Sequence, residues 1–291
     1  MIDSKYNLSE LRKTISNLEP TIKDSSLERQ KLRLEIAKKM VNQGSYNSKT
    51  KELSNPVRYN KRIDFVIGIA GGGKSSVLAN PLSEENKSVV LDSDWAKEQL
   101  PEYDHGLGAT RVHLESKLIF MIALENALRN NMNIVISIVG KTLQTIIEIN
   151  GLAKENGYEQ HLHLNEVAPN IACDRAMERF KETGRYIDSN YILNEIGYKP
   201  SENYEKLKEM NIFDSYEKYN NNVPLGERPI LIERISGELI PRLSLPTFRY
   251  PFSFQVMKER GLIFKGESDK DIIERLEKLK DELEDDLELE P

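Results

Sequence analysis

A glycine-rich segment, residues 65–76 (FVIGIAGGGKSS), contains the pattern G-x-x-x-x-G-K-S. Glycines in such a loop let successive backbone amides wrap around phosphate groups, and the helix that follows directs its positive N-terminal end at them. The lysine of the pattern neutralises charge on the β- and γ-phosphates, and the serine offers a hydroxyl to Mg²⁺. The alternative, a glycine turn with only a structural role, is disfavoured by the strand pattern before it and the helical pattern after it. The residues predicted to bind the phosphates are Gly68, Gly71, Gly72, Gly73, Lys74, Ser75 and Ser76.

Two carboxylates follow the next apolar strand, in the segment KSVVLDSDW. Open α/β sheets bind their ligands at the carboxyl edge, so Asp92 and Asp94 are expected beside the phosphate loop. One of them can hold Mg²⁺ or its water, while the other accepts the proton of an attacking hydroxyl. The alternative for Asp94 is to cap the helix that begins near Trp95.

Three arginines occur in RAMERFKETGRY, residues 175–186. Arg175 and Arg179 are one helical turn apart and face the same way, and Arg185 follows a glycine on a predicted loop. We expect a lid near residues 171–190, with Arg175 binding the nucleotide and the others stabilising charge on the transferred phosphoryl group. The alternative is that each arginine is an ordinary surface residue.

Apolar strands alternate with longer helical stretches from Arg62 onward, which predicts a parallel sheet with crossover helices. Together with the phosphate loop, this indicates an α/β fold of the P-loop NTPase type with flanking helices. We predict a helical N-terminal arm over residues 1–60, a kinase domain over 61–245 and a C-terminal extension over 246–291. The extension ends in an acidic helix, whose predicted apolar seam is formed by Ile272, Leu276, Leu279 and Leu283.

The composition is that of a globular protein, with 38% hydrophobic and 30% charged residues. No apolar run approaches the roughly 20 residues that span a bilayer. The N-terminus lacks the pattern of a secretion signal, and the single cysteine, Cys173, cannot form an internal disulfide. A cytoplasmic location is therefore expected. The four histidines, His105, His113, His161 and His163, show no zinc-site spacing.

Charge is distributed unevenly along the chain, whose net charge is −6. Residues 1–62 carry 14 Lys and Arg against 7 Asp and Glu, whereas residues 267–291 carry 4 against 12. The predicted catalytic body is thus mildly acidic and lacks the overall basic field that nucleic-acid binding normally uses.

The segments GGGKSS, LDSDWAKEQLPEYD, VHLES and ERFKETGRY occur in this order across about residues 62–220. In their order and spacing they resemble the zeta toxin family of P-loop kinases, which phosphorylate UDP-N-acetylglucosamine and block cell-wall precursor synthesis. The resemblance implies ATP or GTP and Mg²⁺ as cofactors and a nucleotide sugar as acceptor. It also implies a possible antitoxin-like partner, for which the N-terminal arm could substitute within the same chain.

The resemblance also implies roles for individual residues. Asp94 is similar to the family's general base and Ser75 to its Mg²⁺ ligand, and Asp92 is the second predicted magnesium ligand. Lys74 is similar to the phosphate-binding lysine, and Arg179 and Arg185 to the lid arginines. Two further residues would contact the acceptor, although a solvated helix face and a strand-end hydroxyl are their ordinary alternatives: Glu115 and Ser137. Ile136 stands where the family commonly has Asp or Glu.

The leading hypothesis is a kinase that transfers the γ-phosphate of a nucleotide to a hydroxyl of a small acceptor. A polynucleotide 5′-hydroxyl kinase would use similar parts, and its binding to single-stranded oligonucleotides would weaken steeply with salt. A nucleotide-gated binding module is the third hypothesis, and it would bind nucleotide without transferring phosphate to any acceptor.

Overall fold

A computed structural model of the chain describes residue 15 and residues 17–224 and 226–236. The described helices are α1 (Leu27–Asn42), α2 (Asn80–Asn86), α3 (Ser93–Glu98), α4 (His113–Arg129), α5 (Leu143–Glu155), α6 (Pro169–Thr183) and α7 (Lys199–Met210). The strands are β1 (Ser45–Asn47), β2 (Glu52–Asn55), β3 (Arg62–Gly68), β4 (Val89–Leu91), β5 (Ile134–Ile138), β6 (Glu159–Glu166), β7 (Ser215–Asn220) and β8 (Ile230–Ser236). Short 3-10 helices span Thr21–Lys23 and Pro101–Gly106, and π-helical turns span Ser75–Ala79 and Tyr191–Ile196.

The chain divides into two compact units. The sheet unit comprises the described residues of Val41–Asp92 and Asn126–Leu245. The arm unit comprises those of Met1–Met40 and Ser93–Glu125. The domain boundaries expected from the sequence at residues 60 and 245 stay predictions, and the acidic helix expected in residues 246–291 lies outside the described residues.

The sheet unit contains a six-stranded sheet with the order β4-β5-β3-β6-β7-β8. Strands β3 to β7 are parallel, and only β8 pairs antiparallel among these six. β3 is central, and six of its seven residues are buried, as expected for a parallel strand covered on both faces. The predicted fold class is confirmed: a mostly parallel α/β sheet with flanking helices.

Two apolar clusters of the sheet unit enclose the phosphate loop. One contains Val66, Leu78, Ala79 and Val135, and therefore packs the helical turn after the loop onto β3 and β5. The other contains Ile69 and Ala70 of the loop itself, packed with Ala172, Cys173 and Ala176 of α6 and with Ile192 and Ile196. Cys173 is thus a small buried packing residue. The loop between β3 and the turn at Ser75 is fixed by burial on both sides.

Two parts of the sheet unit differ from the sequence-based expectation. β7 was not predicted, because its sequence SYEKYN is mostly polar and only Tyr216 is buried. The segment 43–60, predicted as part of the helical N-terminal arm, contains the antiparallel hairpin of β1 and β2. Strands of three and four residues are too short for an alternating pattern to be recognised.

The arm unit contains most of α1, and polar side chains lie at the start of this helix. The backbone N–H of Arg29 donates to Ser26 Oγ at 3.3 Å, and the N–H of Ser26 donates to Asp24 Oδ1 at 2.9 Å. Polar side chains before the first turn thereby accept two backbone donors at the helix start. Among the described helices, none is both long and apolar enough to cross a membrane.

Candidate nucleotide site

The phosphate loop connects β3, which ends at Gly68, to the helical turn that begins at Ser75. Gly71 and Gly73 both have φ of +80°, in the left-handed region that side chains with a Cβ disfavour. A Cβ at Gly71 would also collide with the carbonyl oxygen of Ala172 in α6. The glycines are therefore required by the conformation and by the close approach of α6.

The side chains of Lys74 and Ser76 hydrogen-bond to backbone carbonyls of the loop. Lys74 Nζ donates to the carbonyl of Ile69 at 3.1 Å, which keeps the ammonium group against the loop. Ser76 Oγ donates to the carbonyl of Gly73 at 3.0 Å. Backbone donors at the start of the helix and the ammonium group of Lys74 together favour an anion at this position.

Two buried asparagines hold the loop from the side of the sheet. Asn165 Nδ2 and Asn221 Nδ2 donate to the carbonyl of Gly72 at 2.8 and 2.9 Å. Neither residue was singled out from the sequence. The available signal was a lone asparagine in the strand HLHLNEV, at the carboxyl edge where ligands bind.

The two aspartates belong to different compact units. Asp92 directly follows β4, at the carboxyl edge of the sheet that also carries the phosphate loop. Asp94 is the second residue of α3, and its Oδ1 accepts from Lys97 Nζ at 2.8 Å. Asp94 therefore lies in the first turn of α3, where its negative charge interacts favourably with the positive end of the helix dipole. The roles of both aspartates stay predictions.

The three predicted lid arginines lie on α6 and just after it. Helix α6 ends at Thr183, and Gly184 follows with φ of +71° before Arg185. Arg175 Nη2 donates to the carbonyl of Asn221 at 3.0 Å and to that of Val223 at 2.6 Å. The lid near residues 171–190 and the contact of these arginines with a nucleotide stay predictions.

Glu115 is fully buried in the arm unit, although a substrate contact was expected for it. Its Oε1 accepts from Arg29 Nε and from Arg33 Nε, each at 2.7 Å. Its Oε2 accepts from Arg29 Nη2 at 2.6 Å, and Arg29 also forms a bidentate pair with Glu102. Burial lowers the pKa of Arg29, but the hydrogen bonds and charges of both glutamates outweigh it and raise the pKa. The acceptor role of Glu115 stays a prediction.

Ser137 lies in β5 with 4% of its surface exposed. It pairs in register with Val66 of β3, two residues before the phosphate loop begins. A contact between the Ser137 hydroxyl and an acceptor also stays a prediction.

A buried polar network crosses the sheet at His163. Its Nε2 lies 3.0 Å from Asp64 Oδ1, and its Nδ1 lies 3.0 Å from Glu217 Oε2. Arg62 forms a bidentate pair with Asp64, at 2.8 and 2.9 Å. Among the described residues, no group of three or more His, Cys, Asp and Glu could hold a metal ion. His161 and His163 are both buried.

The parallel sheet and its glycine-rich phosphate loop define a P-loop kinase. Residues 47–224, more than half of the chain, match the family model described as Zeta toxin. The chain therefore belongs to the zeta toxin family. No sequence match to a curated protein is found.

Solved structures share the fold, and two of them cover most of this chain. One belongs to the PezAT chromosomal toxin-antitoxin system of the human pathogen Streptococcus pneumoniae, with 18% identity and a TM-score of 0.54, covering 91% of this chain and 99% of that chain. The other is the crystal structure of AvrRxo1-ORF1:AvrRxo1-ORF2 with sulphate ions, with 14% identity and a TM-score of 0.53, covering 88% of each chain. At these identities the likeness concerns the fold alone.

Proposed function

We propose that this protein transfers the γ-phosphate of ATP or GTP to a hydroxyl group of UDP-N-acetylglucosamine or a related nucleotide sugar. The observation that carries the proposal is the phosphate loop, in which two glycines adopt φ of +80° and Lys74 lies against the loop. Such a loop binds the phosphates of a nucleoside triphosphate. Membership of the zeta toxin family supports transfer to a small acceptor.

The residues at the carboxyl edge of the sheet fit a Mg²⁺-nucleotide. Ser75 and Asp92 offer oxygen donors, which Mg²⁺ prefers, and the cation usually keeps several waters and phosphate oxygens as its other ligands. When bound, the ion would draw charge from the β- and γ-phosphates. Lys74 would neutralise further phosphate charge, and the amides of the loop would orient the chain of phosphates.

Asp94 is the proposed base of the reaction. It would accept the proton of the acceptor hydroxyl as the hydroxyl oxygen bonds to the γ-phosphorus and the bond from that phosphorus to the β–γ bridging oxygen breaks. Its ion pair with Lys97 at 2.8 Å holds the carboxylate in one orientation. Arg179 and Arg185 would stabilise the charge that develops on the transferred group.

A protein partner of the antitoxin type forms part of the proposal. The PezAT structure, which shares the fold, is described as a toxin-antitoxin system. A kinase that acts on a cell-wall precursor would require such control in the cell that produces it. Co-purification with the product of a neighbouring gene would test this part separately.

The central test incubates the protein with ATP or GTP, Mg²⁺ and UDP-N-acetylglucosamine, and follows the sugar nucleotide by mass spectrometry. We expect one added phosphate with the wild type and with Asp174→Asn, an exposed aspartate of α6 used as a matched control. Asp94→Asn should lose transfer. A sugar nucleotide left unchanged by the wild type rules out this acceptor, and a parallel reaction with a 5′-hydroxyl oligonucleotide tests the polynucleotide kinase alternative.

A further inference from the structure

The carbonyl of Gly72 in the phosphate loop accepts two hydrogen bonds, and both donors are buried side chains that are distant from the loop in sequence. Asn165 Nδ2 donates to it at 2.8 Å and Asn221 Nδ2 at 2.9 Å. Resting on the proposed function, we propose that Asn165 and Asn221 are positioning residues, which clamp this carbonyl and thereby aim the N–H of Gly73 at the nucleotide phosphates.

The orientation of both amides follows from chemistry. A carbonyl oxygen only accepts hydrogen bonds, so an NH₂ group must face Gly72 in each case. Asn165 is fully buried and Asn221 is 2% exposed. Asn165 Oδ1 has no hydrogen-bond partner within the part of the chain that the structure describes. Asn150 Oδ1, in the control residue used below, also has no partner among the described residues, so the bond to Gly72 is what distinguishes Asn165.

Clamping one atom of a peptide group fixes the whole group. The peptide between Gly72 and Gly73 is planar and trans, so its carbonyl and its N–H point in opposite directions. Two donors on the carbonyl of Gly72 therefore fix the direction of the Gly73 N–H. In G-x-x-x-x-G-K-S loops the amides around the second glycine cradle the phosphates, and Gly73 holds that position.

A glycine loop needs such an external restraint. Gly71 and Gly73 lack side chains that could pack and hold their φ of +80°, and glycine loses more conformational freedom on ordering than any other residue. An ordered loop offers its donors to the phosphates without reorganisation, which increases both affinity and catalytic rate. The two asparagines supply this order before the nucleotide binds.

The clamp is itself anchored in three elements of the sheet unit. Asn165 belongs to β6, where it pairs in register with Gly68 at the start of the loop. The N–H of Asn221 donates to the carbonyl of Glu166 at 2.9 Å, and its carbonyl accepts from Arg175 of α6 at 3.0 Å. Arg175 thus acts on the loop through Asn221, as a support for the clamp.

The test compares Asn165→Ala and Asn221→Ala with Asn150→Ala, a matched control. Asn150 is also fully buried, and its Nδ2 donates to Gln160 Oε1 at 2.9 Å and to the carbonyl of Ile212 at 3.2 Å. These contacts lie at the opposite edge of the sheet, near the start of β6. Asn150→Ala loses two buried side-chain hydrogen bonds and each clamp variant loses one, and only the clamp variants release Gly72.

Two readouts are used on the full chain: ADP affinity by calorimetry, and amide hydrogen exchange of the peptide 69–76 without nucleotide. We expect Asn165→Ala and Asn221→Ala each to weaken ADP binding by roughly 2- to 10-fold, the effect of one lost buried hydrogen bond. Both should also accelerate exchange of the peptide. Asn150→Ala should leave ADP affinity and the exchange of this peptide unchanged.

Each outcome decides the proposal. Wild-type affinity and exchange in both clamp variants would overturn it, and so would equal losses in Asn150→Ala, because general destabilisation would then explain them. Should Asn165→Ala fail to fold, Asn221→Ala decides alone, since its backbone hydrogen bonds remain. A wild type that binds no ADP would refute the proposed function, whereas the exchange comparison would still decide whether the asparagines order the loop.

Discussion

His163 Nε2 lies 3.0 Å from Asp64 Oδ1, and this contact joins β6 to β3 inside the sheet. Burial lowers the pKa of His163, but the hydrogen bonds to Asp64 and Glu217 and the charges of both carboxylates outweigh it, so its pKa is raised. Burial raises the pKa of Asp64, but His163 and Arg62 outweigh it and lower that pKa to about 2. The hydrogen bond from His163 also lowers the pKa of Glu217 to about 2.

The free energy of unfolding should therefore depend on the protonation of His163. The stabilisation that protonated His163 contributes is fully present below about pH 6.5, the pKa of histidine in the unfolded chain. It is lost as pH rises through the raised pKa of His163 in the folded state. The carboxylate contributions are present above about pH 4.5 and are lost as pH falls towards about 2. We expect His163→Gln to lose more stability at about pH 6 than at about pH 9, measured by urea unfolding.

His161→Gln provides a control of opposite sign. Burial lowers the pKa of His161, which lies two residues away in β6 and contacts Ser215 Oγ at 2.7 Å. A histidine with a lowered pKa opposes folding in acid, so its removal should cost less at low pH than at neutral pH. Parallel pH profiles for the two variants would contradict the assignment of a charged His163.

Glu115 and Arg33 give the second prediction, which concerns the arm unit. Both side chains are almost completely buried, at 0% and 1% exposure, and their contact is 2.7 Å. Removing one partner of a buried pair leaves the other charge unpaired, so Glu115→Gln should lower the free energy of unfolding by about 3–5 kcal/mol. Lys23→Met, which breaks the exposed pair with Glu19, should change it by about 1 kcal/mol or less.

The same variant separates a structural from an acceptor role for Glu115. If Glu115 has only a structural role, Glu115→Gln and Arg33→Met should lower the free energy of unfolding by similar amounts. Neither variant should then change KM for the acceptor in the folded protein. An acceptor contact predicts a raised KM in Glu115→Gln alone. A small stability loss in both variants would show that the buried pair does not hold α1 to α4.

The strands β3 and β5 could be predicted because parallel strands covered on both faces read as apolar runs. β6 could be predicted because its leucines alternate with histidines. β7 could not, because its polar side chains are the partners of polar side chains in β6. Ser215 contacts His161 and Glu217 contacts His163, so no apolar pattern remains in SYEKYN.

The phosphate loop could be predicted because its function requires residue types at fixed local spacing. The long-range partners of Glu115 and of Gly72 could not be predicted, because they are distant in sequence. Glu115 lies 86 residues from Arg29, and Asn221 lies 149 residues from Gly72. Only the folded chain shows that the first is neutralised by the N-terminal arm and that the second holds the loop.

Gly71 gives the third prediction, in comparison with Gly184. Both have a positive φ, +80° and +71°, but only a Cβ at Gly71 would collide with a backbone atom, the carbonyl oxygen of Ala172. Gly184→Ala has open space and should cost only the strain of the left-handed conformation, roughly 1–2 kcal/mol. Gly71→Ala adds an overpacking cost and should lose roughly 3 kcal/mol or more. If urea unfolding shows equal decreases in the free energy of unfolding for Gly71→Ala and Gly184→Ala, α6 can move away from the loop.

The lid arginines give the last prediction, which separates binding from transfer. Arginines that contact charge developing in the transition state act on the chemical step, and their removal costs roughly 10³- to 10⁵-fold in rate. Arg179→Ala and Arg185→Ala should therefore lower kcat for phosphoryl transfer strongly and change ADP affinity little. Lys181→Ala, an exposed cation on the same helix, should leave both unchanged.

Arg175→Ala should behave in the opposite way, because Arg175 holds the carbonyl of Asn221 and acts through it on the loop. Its main effect should be weaker ADP binding, measured by calorimetry, with a smaller loss in kcat. A loss of kcat in Arg175→Ala as large as that in Arg179→Ala, at unchanged ADP affinity, would place all three arginines on the transferred phosphate. It would also remove Arg175 from the support of the clamp, since both roles compete for one guanidinium group.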